Sequence, residues 1–313
     1  MNIKQLHYFY ELAQHRHFAK AAKACFITQP TLSASITALE KSLGTELVVR
    51  NSQFVALTQA GEVVLHHAER MLQEQDAMRQ ELSLFRGGLS GALRIGVVPQ
   101  SSIDIMPLLK GFNDAYPKVG LHLCVMTHAT LMEQLDLHRI DIGLGFDELL
   151  TEHQRRALDV QLRHPNPMAL LGPLPAHCAP TGPLTLADLQ ELPLILPSTT
   201  MQFRRYLDEA AARQQISLRV VLETDSLFHL VNGVSHGLGC AVVSAGIAAT
   251  AQQLFKLPCH HLSDASAGTI AFITRKHSVT PAMKAFLGLL KACIPPQGYE
   301  AQREYRPSPA GLR

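Results

Sequence analysis

Gln29, Pro30, Thr31, Ser33, Ala34, Thr37 and Lys41 share one side of a helical repeat, and their chemistry suits a helix lying against a nucleic-acid duplex. Short, polar or cationic side chains let a helix enter a major groove and reach base edges. Near the start of that helix, Gln29 alone can bond adenine in bidentate fashion. Arg50 has the charge and the fork geometry for a backbone phosphate or the minor groove. An amphipathic surface helix, followed by a plain surface arginine, fits the same pattern equally well.

A second candidate chemistry is the binding of a small anion. Pro99-Gln100-Ser101-Ser102, Thr127-His128 and Ser198-Thr199-Thr200 each follow an apolar, strand-like run, and Phe203 stands just beyond the last of them. Polar groups at the carboxyl ends of strands, beside helix N-termini, form anion sites. A carboxylate is the leading ligand class, with His128 able to add a positive charge or a response to pH. Ser and Thr at such places also serve as ordinary helix caps.

Catalysis has less behind it. Gly233-Val234-Ser235-His236-Gly237 fits the pattern G-x-S-x-G, which needs a strand before the serine and a helix after it. Here Leu227, Leu230, Val231 and Val234 precede it at helical spacing, and a strand-like run at 240–243 follows. The order is reversed, so no catalytic residue is assigned. Cys259 and His261 would share one strand face, but no further ligand pair stands at metal-site spacing; no metal and no cofactor is expected. Cys25, Cys124, Cys178, Cys240, Cys259 and Cys293 are scattered without a C-x-x-C pair, as for buried thiols in a reducing cytoplasm. The N-terminus has no apolar signal core, and no charge-free run is long enough to span a bilayer. A cytoplasmic location without membrane contact is expected, and an exported solute-binding protein is disfavoured.

Residues 3–14 have the period of a helix with Leu6, Phe9, Tyr10 and Ala13 turned inward. Residues 18–44 read as two short helices around a tight turn. Ala21, Ala22 and Cys25 permit close approach, Thr28 can cap the second helix, and Pro30 fits its first turn. Leu32, Ile36, Leu39 and Leu43 then form one apolar stripe. Strand-like runs at 47–50 and 54–57 flank Asn51-Ser52-Gln53 as a hairpin. Residues 58–86 form one helix of roughly 42 Å, capped by Thr58 and stopped by Gly87-Gly88. Along it Val64, Ala68, Met71, Gln75, Met78, Leu82 and Phe85 make a heptad seam with one polar member, suited to a second chain. Packing on its own domain is the alternative.

Beyond Ser90-Gly91, strand-like runs at 93–98, 120–127 and 140–146 alternate with helices at 106–116 and around Leu131 and Leu135. A second set runs through 168–171, 194–196, a helix at 203–213, then 218–223, a helix at 226–234 and 240–243. A strand at 269–274 and a helix at 281–293 return to the first set. This rhythm predicts parallel sheet with right-handed crossovers. Two such α/β lobes joined by crossing strands form a module like a periplasmic binding protein. The fold class expected is therefore α/β, with an all-α-type unit in front of it.

Phe18, Ala21-Ala22, Thr28-Gln29-Pro30, Leu32-Ser33, Ile36, Leu39-Glu40, Leu43-Gly44, Leu47, Arg50, Leu57-Thr58 and Ala60-Gly61 together resemble the winged helix-turn-helix signature of the LysR-type transcriptional regulators. The resemblance is specific over the first sixty or so residues and looser beyond them. It implies a DNA-binding domain at 1–58, a linker and dimerisation helix at 59–88 whose pairs run antiparallel, and a two-lobed effector-binding domain at 91–294. Lobe I would hold 91–163 and 268–294, lobe II 164–267, and the proline-bearing tail 295–313 is expected to be disordered. Implied partners are promoter DNA, a small-molecule effector and further copies of the chain as dimer or tetramer, with RNA polymerase as another candidate. Ala34 and Ser35 stand where long polar side chains are common in the family, and the wing tip lacks a second arginine. Direct base readout should therefore be thin, leaving much of the specificity to DNA shape.

Charge agrees in a modest way. The whole chain is +2, yet residues 1–58 carry six Lys or Arg against three Glu, a local +3. Residues 59–88 carry three Arg against five acids, a local −2. A basic excess confined to one end suits phosphate contact.

Overall fold

The computed structural model describes residues 1–50, 55–175 and 183–293. The expected hairpin tip at Asn51-Ser52-Gln53, Phe54, Cys178 and the tail 295–313 lie outside the described residues. Three helices, α1 (Ile3–His15), α2 (Phe18–Ala24) and α3 (Gln29–Leu43), open the chain. The short antiparallel pair β1 (Val48–Arg50) and β2 (Val55–Leu57) follows. Local chemistry sets these boundaries. Thr28 accepts the Thr31 N–H at 3.4 Å to cap α3, Pro30 sits in its first turn, and Gly44 ends it at φ 69°. Leu32, Ile36 and Leu39 are wholly buried with Phe9 and Leu12 of α1. Leu43, expected in the same stripe, is 37% exposed at the helix end.

Glu40 supplies a connection that periodicity does not show. One of its carboxylate oxygens accepts the N–H groups of Leu47 and Val48, at 2.9 and 3.2 Å, and so ties β1 to α3. Gly61 allows the next helix to close on this junction, because a Cβ there would stand 2.1 Å from the Leu47 carbonyl oxygen.

That helix is α4 (Gln59–Leu84), 26 residues long, capped by the Thr58 hydroxyl on the Gly61 N–H at 2.9 Å. It leads into β3 (Gly91–Val97), α5 (Met106–Ala115), β4 (Val119–Val125), α6 (His128–Asp136), β5 (Ile142–Phe146) and α7 (Glu152–Ala157). The chain crosses to the second lobe on β6 (Leu158–Leu171). There it forms β7 (Leu194–Leu196), α8 (Gln202–Arg213), β8 (Val220–Glu223), α9 (Leu227–Ser235), β9 (Cys240–Ser244) and α10 (Ala245–Phe255). It returns on β10 (Cys259–Arg275) and ends in α11 (Pro281–Cys293).

The strands lie in the order β4-β3-β5-β10-β6-β9-β7-β8. β3 is parallel to both β4 and β5, and β7 is parallel to both β8 and β9, so each lobe has the expected parallel centre. β6 and β10 are antiparallel to each other and span both lobes. They are much longer than the short runs expected at 168–171 and 269–274. Pro165 and Pro167 obscure the continuity of β6, since proline lacks a ladder donor. The sheet accommodates them across Ser266 and Thr269, where the pairing register shifts. The helices α7 and α10 were not expected from the sequence.

Candidate functional site

α3 separates its faces sharply. Gln29, Pro30, Thr31, Ala34, Thr37 and Lys41 are exposed on the side away from the core, and Ser33 is half-buried. The Thr31 hydroxyl pairs with that of Thr28 at 2.8 Å, which fixes both at the helix start. Arg50 closes the β1–β2 pair opposite Val55. The outward face is polar, uncluttered and carries a lysine near its end, which is the surface a helix needs in a major groove.

The expected seam on α4 divides into two stretches. Ala68 is wholly buried and Val64 half-buried in the N-terminal core, while Met71, Met78, Leu82 and Phe85 are 41–87% exposed, and Gln75 is half-buried. Phe85 is the residue that follows the helix. The side of α4 that meets lobe I is polar: Glu69, Gln73 and Gln80 are 4–6% exposed. Gln73 donates to Asp141 Oδ1 at 3.1 Å and its carbonyl pairs with His138 Nδ1. Arg139 donates to Glu69 at 2.8 Å. Gln80 donates to the Ala92 carbonyl and accepts the Ala282 N–H, both at 3.1 Å. Buried polar groups need such partners, so these bonds clamp the helix to lobe I.

His138 makes the clamp sensitive to pH. Burial, with the positive charges of Arg275 and Arg70 nearby, lowers its pKa from 6.5 to about 3. The imidazole is therefore neutral in the fold but protonates in the unfolded chain below 6.5. By linkage its contribution is complete above that value and falls as pH drops towards 3. Wild type should lose more of its urea midpoint than His138→Gln between about pH 7.5 and about pH 5. Parallel curves for the two proteins would refute this.

The cleft between the lobes is a cavity of about 250 Å³. Val98, Phe146, Leu149, Phe203, Leu227 and Leu230 give it apolar walls, and Thr127, His128, Thr200, Gln202, Arg205 and Asp225 supply polar groups. The Phe146 N–H donates to His128 Nδ1 at 3.3 Å, which places the ring proton on Nε2. Nε2 is buried without a partner. Burial lowers the His128 pKa, against the pull of Glu148. His128 is thus a neutral imidazole rather than the positive charge considered from sequence. Across the cleft α8 begins at Met201 without a side-chain cap, so its N-terminal amides remain to meet an acceptor.

Of the residues singled out from sequence, Pro99, Gln100, Thr127, His128, Thr200 and Phe203 line this cavity. Ser101, Ser102, Ser198 and Thr199 stand outside its lining. The Ser102 N–H and hydroxyl donate to Asn166 Oδ1 at 2.9 and 2.6 Å, and Ser101 O accepts the Ser244 hydroxyl at 3.1 Å. Both serines therefore belong to the joint between lobes. The Ser198 N–H and hydroxyl donate to Asp225, at 2.9 and 3.0 Å. Asn166, with no exposed surface, and Arg205 carried no signal in sequence, because only the crossing strands and the opposed lobes bring them into place.

Ser235 ends α9 and donates to the Val231 carbonyl at 3.0 Å, with strand β9 after it. Helix then strand is the reverse of a nucleophile elbow. The Cys25 thiol is pushed up to about 11, mainly by burial, and burial also raises those of Cys240 and Cys259. Raised values disfavour the reactive thiolate. Among the described residues no three His, Cys, Asp or Glu side chains gather as a metal site, and no helix is long and apolar enough to cross a membrane.

Residues 3–62 match the bacterial regulatory helix-turn-helix proteins of the lysR family, and residues 86–293 match the LysR substrate binding domain. An SDS degradation transcriptional activation protein of a Pseudomonas species is 32% identical over 304 residues, covering 92% of this chain and 95% of its own. The HTH-type transcriptional regulator AlsR of Bacillus subtilis is 29% identical over 264 residues, 82% of this chain and 83% of its own. A full-length OxyR variant from Pseudomonas aeruginosa has the same fold, with a TM-score of 0.71 at 22% identity over 96% of this chain and 99% of that one. The helix-turn-helix part and the two-lobed part are thus each matched in sequence, and the chain belongs to the LysR family of helix-turn-helix transcriptional regulators.

Proposed function

We propose that this regulator reads promoter DNA with Gln29, Pro30, Thr31, Ser33, Ala34, Thr37 and Lys41 of α3 and with Arg50 of the wing. Gln29 serves base readout and Arg50 the backbone. The chain pairs with a second copy through the exposed Met71, Met78, Leu82 and Phe85 of α4, and two dimers join as a tetramer on neighbouring sites. It works in the cytoplasm, and its domains divide near residues 58 and 90. The cleft between the lobes takes a small carboxylate with an aromatic or branched aliphatic body, held by Thr127, His128 and Phe203. Binding of that effector shifts the balance between two arrangements of the assembly, which requires a different affinity for each.

The buried, unpartnered Nε2–H of His128 carries the effector reading. A donor in that state costs stability until a ligand acceptor meets it. The uncapped start of α8 favours negative charge on the same ligand. Thermal-shift measurements on the full-length chain should show stabilisation by aromatic or branched-chain carboxylates and none by their amides. His128→Asn keeps an acceptor for the Phe146 N–H but removes the Nε2 donor. It should fold normally and bind the same carboxylates about tenfold more weakly, the effect of one lost hydrogen bond. Unchanged affinity would remove His128 from the site, and equal stabilisation by acid and amide would remove the carboxylate.

A further inference from the structure

Phe26 lies in the turn between α2 and α3 and is 96% exposed, with its backbone in the left-handed region at φ 56°. The turn itself is held by its neighbours: the Phe26 N–H donates to the Lys23 carbonyl at 3.1 Å, and the Ile27 N–H to that of Ala22 at 3.0 Å. Ile27 packs against the N-terminal core, so the apolar anchoring of the turn does not use the phenyl ring. Phenylalanine is among the poorer choices for a left-handed position, which Gly, Asn or Asp accept more readily. A ring in water contributes no burial. In the free protein Phe26 thus brings strain without packing.

Its surroundings indicate where the ring is used. Phe26 shares a shallow depression with Lys23, Thr28 and Gln29, beside the start of the helix assigned above to the major groove. A cation, an aromatic ring and a carboxamide side by side match the chemistry of a duplex edge: phosphate, thymine methyl and adenine. We infer that Phe26 is a specificity residue whose ring packs on the 5-methyl group of a thymine beside the base met by Gln29. This assignment rests on the placement of α3 in the groove, and it adds one base contact to the thin direct readout offered by Ala34 and Ser35.

The test uses the full-length chain and duplexes selected from a random pool. Phe26→Asn suits the left-handed turn and removes the ring. It should keep or raise the melting temperature and bind the wild-type-selected duplex about tenfold more weakly, as expected for loss of an aromatic burial. Its own selected motif should lack one thymine that wild type prefers. Uracil in place of that thymine should weaken wild type and leave Phe26→Asn unchanged. Identical motifs and affinities would overturn the inference, as would a uniform loss on all duplexes with no uracil effect, which would put the ring on the sugar–phosphate backbone. Normal DNA binding with lost transcriptional activation would assign the ring to a protein partner and overturn it too. Ala34→Glu separates the two levels. If it abolishes binding while Phe26→Asn leaves affinity and selected motif unchanged, only Phe26 is misassigned; if both bind normally, the groove placement of α3 fails.

Discussion

Asp141→Ala should lower the unfolding free energy by about 3–5 kcal/mol, the loss typical when one partner of a buried ion pair is removed. Asp141 is 1% exposed. Its carboxylate accepts the Arg94 N–H at 2.8 Å and the Gln73 amide at 3.1 Å, and stands 3.9 Å from the Arg275 guanidinium. Arg275 is 7% exposed and donates to the carbonyls of Leu135 and Ile140, both at 2.7 Å. Burial pushes the Asp141 carboxyl up and the Arg275 guanidinium down; the Arg94 N–H and guanidinium, then Arg275 and Gln73, hold the carboxylate charged, and Asp141 in turn holds the guanidinium. Without Asp141 a guanidinium remains buried with its nearest opposite charge gone, and Gln73 loses one of its bonds to lobe I. At roughly 2–4 °C per kcal/mol for a domain of this size, the melting temperature should fall by about 10 °C. Asp141→Asn should cost less, because it keeps an acceptor for the Arg94 N–H. A change under about 1 kcal/mol for Asp141→Ala would show that water or a rearranged side chain reaches Arg275. Hydrogen exchange along α4 should quicken in the same variant, since Gln73 links that helix to lobe I.

The second large effect concerns DNA. Ala34→Glu should weaken binding to a selected duplex by about 100-fold or more, because setting like charges together across an interface costs several kcal/mol. Ala34 is exposed on α3, on the opposite side from Leu32, Ile36 and Leu39. Glutamate is a good helix former, so the melting temperature should stay close to that of wild type, as for most surface changes. Loss of DNA binding with unchanged stability separates a contact face from a packing face. Fluorescence anisotropy at several salt concentrations would follow it, with the wild-type affinity falling steeply as salt rises. Affinity within about threefold of wild type would place the duplex elsewhere.

The N-terminal unit was largely legible from residues because its determinants are local. The Thr28 cap, Pro30 in the first turn, the stripe of Leu32, Ile36 and Leu39, and Gly44 as the stop all act within one helix. The cleft between the lobes was legible only in part. Thr127 and His128 were found because they follow a strand and start a helix. Ser101 and Ser198 have the same local signature but bond to Ser244 and Asp225, partners distant in the chain. The charge state of His128 was not legible at all, since it depends on burial beside Phe146.

α4 shows the division most clearly. Its length and its cap were written in the order of its residues, because helical period and capping need only near neighbours. Which face would be covered was settled by the rest of the chain: Glu69, Gln73 and Gln80 look like solvent residues until Arg139, Asp141 and Ala282 arrive to bond them. A local pattern specifies an element and its apolar side. Only tertiary structure can make a polar side the buried one, because its partners lie far away in sequence and their bonds form only when the lobes close around the helix.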